Sequence, residues 1–256
     1  MPKEVVFGRS DGTDIPLVPE PYCAYCSKPI PDEYADWRHC YECNRLVNEK
    51  MKAAVSEGKL LFSPRPYDFL QAAAAGLYVT GGHKGIINGE IWALKNSVKG
   101  AKSIAPLLAE TLEHVIRTRY PSMLRADTIV PVPPGDKSRG FNQSAILASE
   151  LQKRFPGMEY LDVLETTPDC RSQQQTETAD ERWLNPRGKI LITPQVEKEI
   201  GGRRPLLIDD TLVMCATTDE CARVLMAAGV SGVYVAVVGR AIGLRELEFI
   251  GYTGRY

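Results

Sequence analysis

From Ile104 onward the apolar residues Ile104, Leu107, Leu108, Leu112, Val115 and Ile116 fall at offsets of 3, 4, 8, 11 and 12, the spacing of one helix face. A shorter helix is predicted over Ile86 to Leu94, and another carries Ile146, Leu147, Leu151 and Phe155 until Pro156 and Gly157 stop it. Between them, Asp127 to Pro133 is a β-branched run closed by prolines, which reads as a buried strand ending in a loop. Two further apolar runs, Pro205 to Ile208 and Gly232 to Val238, flank a helical stretch from Thr218 to Ala228, with Gly229 as its stop. Strand, helix and strand in that order predict a crossover in a parallel sheet, hence an α/β fold with helices on the sheet. No internal repeat or low-complexity tract interrupts the pattern.

The first 66 residues follow a different rule. Positions 1–20 hold Gly8, Gly12, Pro16 and Pro19 among polar residues and are read as an arm. Cys23 and Cys26, then thirteen residues, then Cys40 and Cys43 precede a polar helical stretch from Asn44 to about Glu57. Ser63, Pro64, Arg65 and Pro66 break the chain. The expected organisation is an arm (1–20), a four-cysteine module (21–62), an α/β domain (67–245) and a tail (246–256).

Composition narrows the function. With 256 residues, 44% hydrophobic and 25% charged, the chain can bury one large core or a core plus a small module. Lys plus Arg number 31 against 32 for Asp plus Glu, so no global positive field draws the molecule to nucleic acid or membrane. No apolar run reaches the roughly 18 residues of a spanning helix, and Lys3 and Glu4 place charge where a signal peptide would be apolar. A cytoplasmic protein without membrane insertion is expected.

Two cysteine pairs, each two residues apart, can wrap a tetrahedral ion, and the intervening loop is long enough to close the site. Four thiolates leave no open coordination position. Cys23, Cys26, Cys40 and Cys43 are therefore candidate ligands of a structural metal, Zn(II) first and an iron centre second, with His39 a neighbour that the set does not require. Cys170, Cys215 and Cys221 are scattered and read as small buried residues.

Asp209 and Asp210 follow directly on the apolar run Leu206 to Ile208, placing two carboxylates where a buried strand leaves its sheet. In open α/β sheets that edge binds ligands. Thr211 to Ala216 is expected as a loop, and Thr217 with Glu220 fits a capping box at the start of the next helix. A loop running into a helix N-terminus suits a phosphate, and neighbouring carboxylates can accept the hydroxyls of a ribose. An acidic strand end beside an ordinary helix cap is the competing reading.

These residues resemble the type I phosphoribosyltransferases, and more closely the ComF family of phosphoribosyltransferase-like proteins linked to bacterial DNA uptake. Leu206 to Thr217 is similar to the superfamily's strand, acidic pair and 5′-phosphate loop. Val130 to Pro133 followed by Arg139, Gly140, Phe141, Asn142 and Gln143 resembles ComF specifically, as do Gln175 and Thr176 with Glu181, Arg182, Asn185 and Gly188, and Ile91 to Lys95 ahead of Gly100. The four-cysteine module also belongs to that family.

The resemblance implies a type I phosphoribosyltransferase-like parallel sheet flanked by helices, with a small N-terminal zinc-ribbon-like module. It implies that Asp209 and Asp210 face the ribose hydroxyls or a Mg(II) ion, as the catalytic pair of an active transferase. Pro133 and its loop, with Lys137 and Arg139, would approach the pyrophosphate of phosphoribosyl pyrophosphate, and Thr211, Cys215, Ala216 and Thr217 would line the phosphate loop. Where the family has Thr-Thr-Gly, this chain has Val213, Met214 and Cys215, losing two hydroxyl donors and a glycine suited to positive φ.

Three functions remain open on this reading: a ComF-like binder of phosphoribosyl pyrophosphate or a nucleotide acting with DNA-processing proteins, an active Mg-dependent phosphoribosyltransferase, or a non-catalytic adaptor. Lys84, Lys95, Lys99 and Lys102 with Tyr78 and Trp92 form a sparse basic and aromatic stretch, read either as a single-stranded DNA contact or as a solvated helix face. His83 and His114 are read as structural.

Overall fold

The computed structural model describes residues 3–57, 65–81, 85–135, 140–170, 178–194 and 197–252. A short antiparallel hairpin, β1 (Val6–Gly8) with β2 (Asp14–Pro16), precedes the cysteines and helix α1 (Tyr41–Ser56). Then follow β3 (Gln71–Val79), α2 (Ile86–Asn96), α3 (Val98–Arg119), β4 (Thr128–Pro131), α4 (Gln143–Arg154) and β5 (Glu159–Tyr160). An antiparallel pair, β6 (Leu164–Thr166) with β7 (Ile190–Ile192), encloses α5 (Ala179–Leu184). The chain ends with α6 (Glu197–Ile200), β8 (Pro205–Leu212), α7 (Ala216–Ala227), β9 (Tyr234–Ile242) and α8 (Leu244–Phe249).

Five strands form one sheet in the order β3-β9-β8-β4-β5, every neighbouring pair parallel. The expected α/β architecture is present, including parallel β8 and β9 joined through α7. Alternation along the strands divides the core. Leu206, Ile208, Ala236 and Val238 pack with Ile87, Ile91, Leu108, Leu112, Leu147 and Leu151 of α2, α3 and α4. Leu207, Val235 and Val237 share the other cluster with Cys221 and Leu225 of α7 and with all four paired cysteines. Buried on both faces, such strands read as continuous apolar runs.

The arm contributes more than its composition suggests. Ile15 and Leu17 are fully buried under α2 and α3, and Arg9 is tied to Glu90 of α2 and, through Nε, to Thr111 Oγ1 of α3 at 2.7 Å. At the other end, Leu247, Ile250 and Tyr252 are buried against the sheet.

Helix α2 lies close to the sheet for a steric reason. Gly76 of β3 and Gly239 of β9 face each other in register. A methyl group on Gly76 would stand 2.8 Å from Ile87, and one on Gly239 would stand 2.7 Å from Ile91. Both glycines admit the helix, whose last turn carries Lys95 toward β8.

Candidate functional site

Strand β8 runs to Leu212, four residues beyond the expected end at Ile208, because β9 continues to pair with it: Asp209, Thr211 and Leu212 oppose Val237, Gly239 and Arg240. Thr211, expected in a loop, is therefore in the strand. On the opposite edge β4 stops at Pro131, level with Ile208, with one further bond from Val132 N–H to Ile208 O. Past that level β8 has lost one neighbour, and a cleft of about 280 Å³ opens there. This is the carboxyl end of the sheet, where parallel α/β proteins bind ligands.

Helix α4 fills part of the lost edge. Asn142 caps it, accepting from Ser144 N–H at 3.0 Å while its Nδ2 donates to Val132 O at 3.0 Å, which locks the helix start to the end of β4. That placement lets Ser144 Oγ donate to Asp209 Oδ1 at 2.9 Å and Gln143 Nε2 donate to Asp210 Oδ2 at 2.7 Å. From α2, Lys95 Nζ meets Asp210 Oδ1 at 2.8 Å, and Thr211 Oγ1 donates to the same oxygen at 2.6 Å.

The two carboxylates consequently differ. Burial, reinforced by the neighbouring Asp210 charge, pushes Asp209 up to about 7. For Asp210 burial acts the same way, but Lys95 and the donors from Thr211 and Gln143 outweigh it and hold the carboxyl below its ordinary value. Burial also opposes charge on Lys95, and Asp210 more than compensates, so the ammonium is retained. One acid is thus a fixed anion, and the other titrates near neutrality.

The expected site residues Asp209, Asp210, Pro133, Thr211, Cys215, Ala216 and Thr217 all line this cleft. Lys137 and Arg139 lie outside the described residues, as do His83, Lys84, Gln175 and Thr176. The structure adds Lys95, Gln143, Ser144, Thr166, Arg182 and Asn185 to the lining. Gln143, Arg182, Asn185 and Lys95 were visible only inside family-like strings; no local pattern marked them as neighbours of the aspartates. Lys95 turns inward to Asp210, which removes it from the expected basic face. Lys99, Lys102 and Trp92 are exposed there.

The expected capping box is absent. Helix α7 begins at Ala216, two residues earlier than the Thr217 cap would place it, and its N-cap is Cys215 in the left-handed region (φ 65°, ψ 1°) with no side-chain cap. Glu220, assigned to the box, is fully buried elsewhere: it accepts from Gly188 N–H at 2.9 Å, from Arg187 at 3.0 Å and from Arg223 at 2.6 and 2.8 Å. Asp219 accepts from Arg187 and from Asp68 N–H. These arginines offset the acids in the first turn of α7. The N-cap residue itself supplies no side-chain cap to the first amides of the helix. Burial pushes the Cys215 thiol up to about 12, which disfavours its thiolate.

On the sheet face that α7 covers lies the cysteine cluster. Cys23, Cys26, Cys40 and Cys43 are all buried, with their sulfurs within 4.8 Å of one another. Cys26 Sγ and Cys40 Sγ are 3.7 Å apart, close to the ~3.8 Å edge of a tetrahedron with 2.3 Å metal–sulfur bonds. The four thiols can therefore hold a metal ion, and an all-sulfur tetrahedron suits zinc. Cys40 is the N-cap of α1 and Cys43 sits in its first turn, so the helix fixes the second pair. The first pair is fixed by Ser27, whose hydroxyl donates to Ala72 O at 2.7 Å, accepts from Ala74 N–H and contacts Tyr120 Oη. His39 stacks on Tyr25 instead of joining the thiols, and His114 stacks on Phe7.

Among the described residues no helix is long and apolar enough to cross a membrane. No family model matches the chain, and no curated protein matches it. Solved structures do. The glutamine phosphoribosylpyrophosphate amidotransferase of B. subtilis, complexed with ADP and GMP, is 17% identical over 58% of this chain, with a TM-score of 0.39. The match spans only 30% of the amidotransferase chain. The phosphoribosylpyrophosphate synthetase of Mycobacterium smegmatis is 10% identical over 94% of this chain and 73% of its own, with a TM-score of 0.36.

Proposed function

We propose that the cleft binds the phosphoribosyl group of phosphoribosyl pyrophosphate or of a nucleotide, in a cytoplasmic ComF-type protein that works with DNA-processing partners or single-stranded DNA. In this reading Asp209 and Asp210 accept the ribose hydroxyls or hold a Mg(II) ion bound to them. The 5′-phosphate meets the backbone from Met214 to Thr217, and the segment after Pro133, with Lys137 and Arg139, meets the pyrophosphate. The four thiols hold a structural Zn(II). The observation that carries the reading is the pair of adjacent carboxylates lining one cleft with the start of α7.

Lys95 and Arg182 supply positive charge at the same cleft. Val213 and Met214 supply no hydroxyl to a phosphate, so affinity depends on backbone amides, with each lost charge-assisted contact worth roughly 1.5 to 3 kcal/mol. Binding without turnover is the form of the proposal that this loop favours; the intact acidic pair favours an active Mg-dependent phosphoribosyltransferase. Pyrophosphate release separates the two. The protein is incubated with phosphoribosyl pyrophosphate, Mg(II) and a panel of nucleobases, and release above the protein-free rate that disappears in Asp210→Asn identifies a transferase. Release at the protein-free rate together with measurable binding supports the binder. Absence of both leaves an adaptor.

A further inference from the structure

Arg240 is buried near the end of β9, 5% exposed, opposite Leu212 in the β8–β9 register. A buried guanidinium is costly unless its charge and its donors are both matched. One terminal nitrogen, Nη1, donates to Leu212 O at 2.6 Å and to Val213 O at 2.7 Å, the two carbonyls that lead from β8 into the turn before α7. The other, Nη2, lies 3.9 Å from Cys26 Sγ. Among the described residues no carboxylate forms a contact ion pair with Arg240; Glu246 feels its charge at longer range but is bonded by Lys28 at 2.6 Å.

We propose that Arg240 is a positioning residue through which occupancy of the four-cysteine centre sets the shape of the β8–α7 turn. Four thiolates around a divalent ion keep a net negative charge, which would balance a guanidinium that no carboxylate contacts directly. Metal holds Cys26 Sγ in place, Cys26 holds Nη2, and Nη1 then fixes the carbonyls of Leu212 and Val213. Those carbonyls orient the strained step at Cys215, from which α7 starts. Arg240 spans the distance from the cysteine cluster to Leu212 and Val213, which line the cleft. Because coupling is reciprocal, anything that orders the turn also tightens metal binding by the same factor. The inference rests on the metal fit of the thiols and not on the identity of a ligand in the cleft.

Amide hydrogen exchange on the full chain tests it, with zinc as the probe. Asp219 N–H donates to Cys215 O at 2.8 Å, so its exchange reports opening of the first turn of α7. Stripping zinc with a chelator is expected to speed that exchange tenfold or more while Leu108 to Leu112 of α3 stay protected. In zinc-loaded Arg240→Met the same amide exchanges at the stripped rate, and stripping adds nothing. Equal protection of Asp219 with and without zinc in the wild type overturns the proposal, and so does an undiminished zinc response in Arg240→Met. Where stripping exposes α3 as well, the loaded proteins decide: fast exchange at Asp219 in the variant with full zinc content supports the coupling, and wild-type protection overturns it. If Arg240→Met does not fold, Arg240→Lys, which keeps the charge but cannot span carbonyls and thiolate together, is read in the same way.

Discussion

Lys95 reaches Asp210 across 2.8 Å only because α2 lies close against β3 and β9, where two glycines stand in place of side chains. The pair is mostly enclosed: 5% of the Asp210 side chain and 24% of the Lys95 side chain are exposed. Removing the cation leaves Asp210 charged and underpartnered. Lys95→Met is expected to lower stability by about 2 kcal/mol, less than the full penalty for a buried pair because the ammonium borders the cleft. Urea denaturation reads this as a lower midpoint at unchanged slope; an unchanged midpoint contradicts it.

Asp209 gives the site a pH dependence. Its folded-state value of about 7 lies above the ordinary 3.8, so its protonated form is the one the fold favours. The stability that this shift contributes is fully present below about 4 and is lost as pH rises through about 7. Binding of a cation or diol that requires the ionised carboxylate runs the other way, strengthening roughly tenfold between pH 6 and pH 8. Carboxyl carbon NMR of Asp209 is expected to titrate near neutrality, and Asp209→Asn removes the rise in affinity. Titration in the ordinary aspartate range would contradict this account of the site.

Cys215 tests the turn. A residue with a β carbon at positive φ carries a strain that glycine does not, on the order of 1 kcal/mol. Cys215→Ala keeps the strain and loses the buried sulfur, whereas Cys215→Gly loses the sulfur and relieves the strain. The glycine variant is expected to be at least as stable as the alanine variant, the reverse of the usual order within a helix or strand. Thermal melting of the two side by side decides; an alanine variant more stable by 1 kcal/mol or more would contradict the left-handed assignment.

The metal centre makes a simpler prediction. The purified protein carries about one zinc per chain, and Cys26→Ser lowers that content and destabilises the fold. Full zinc occupancy in the variant would remove Cys26 from the ligand set, and with it the partner of Arg240.

Much of this was legible in the sequence. The periodic apolar residues of α3, the β-branched run of β4 and the apolar runs of β8 and β9 identify themselves, because burial of one helix face or of both strand faces leaves its period or its unbroken run in the sequence. The cysteine spacing likewise implied a metal centre. Strand β3 escaped, because Ala72 to Ala75 has no β-branched residue: Ala73 and Ala75 pack with α2 and α3, and Ala72 and Ala74 with the cysteine cluster, tertiary neighbours that the local sequence does not reveal. The hairpin β1–β2 escaped because three-residue strands carry no measurable period. Asp209 and Asp210 announced themselves as a doublet at a strand end, but Lys95, Gln143, Ser144 and Arg240 reach their partners only through folding. The capping box at Thr217 and Glu220 failed for a related reason. Arg187, Arg223 and Gly188 compete for the Glu220 carboxylate and win, so the local motif is overridden by long-range charge.

Calorimetric titration of the zinc-loaded protein with phosphoribosyl pyrophosphate and Mg(II), at pH 8, tests the central claim most directly. The wild type is expected to bind saturably with about one site per chain, and Asp209→Asn with Asp210→Asn to abolish the heat while the double variant still melts cooperatively. Equal binding by wild type and the folded double variant, or no binding by the wild type, would contradict a phosphoribosyl site at the end of β8.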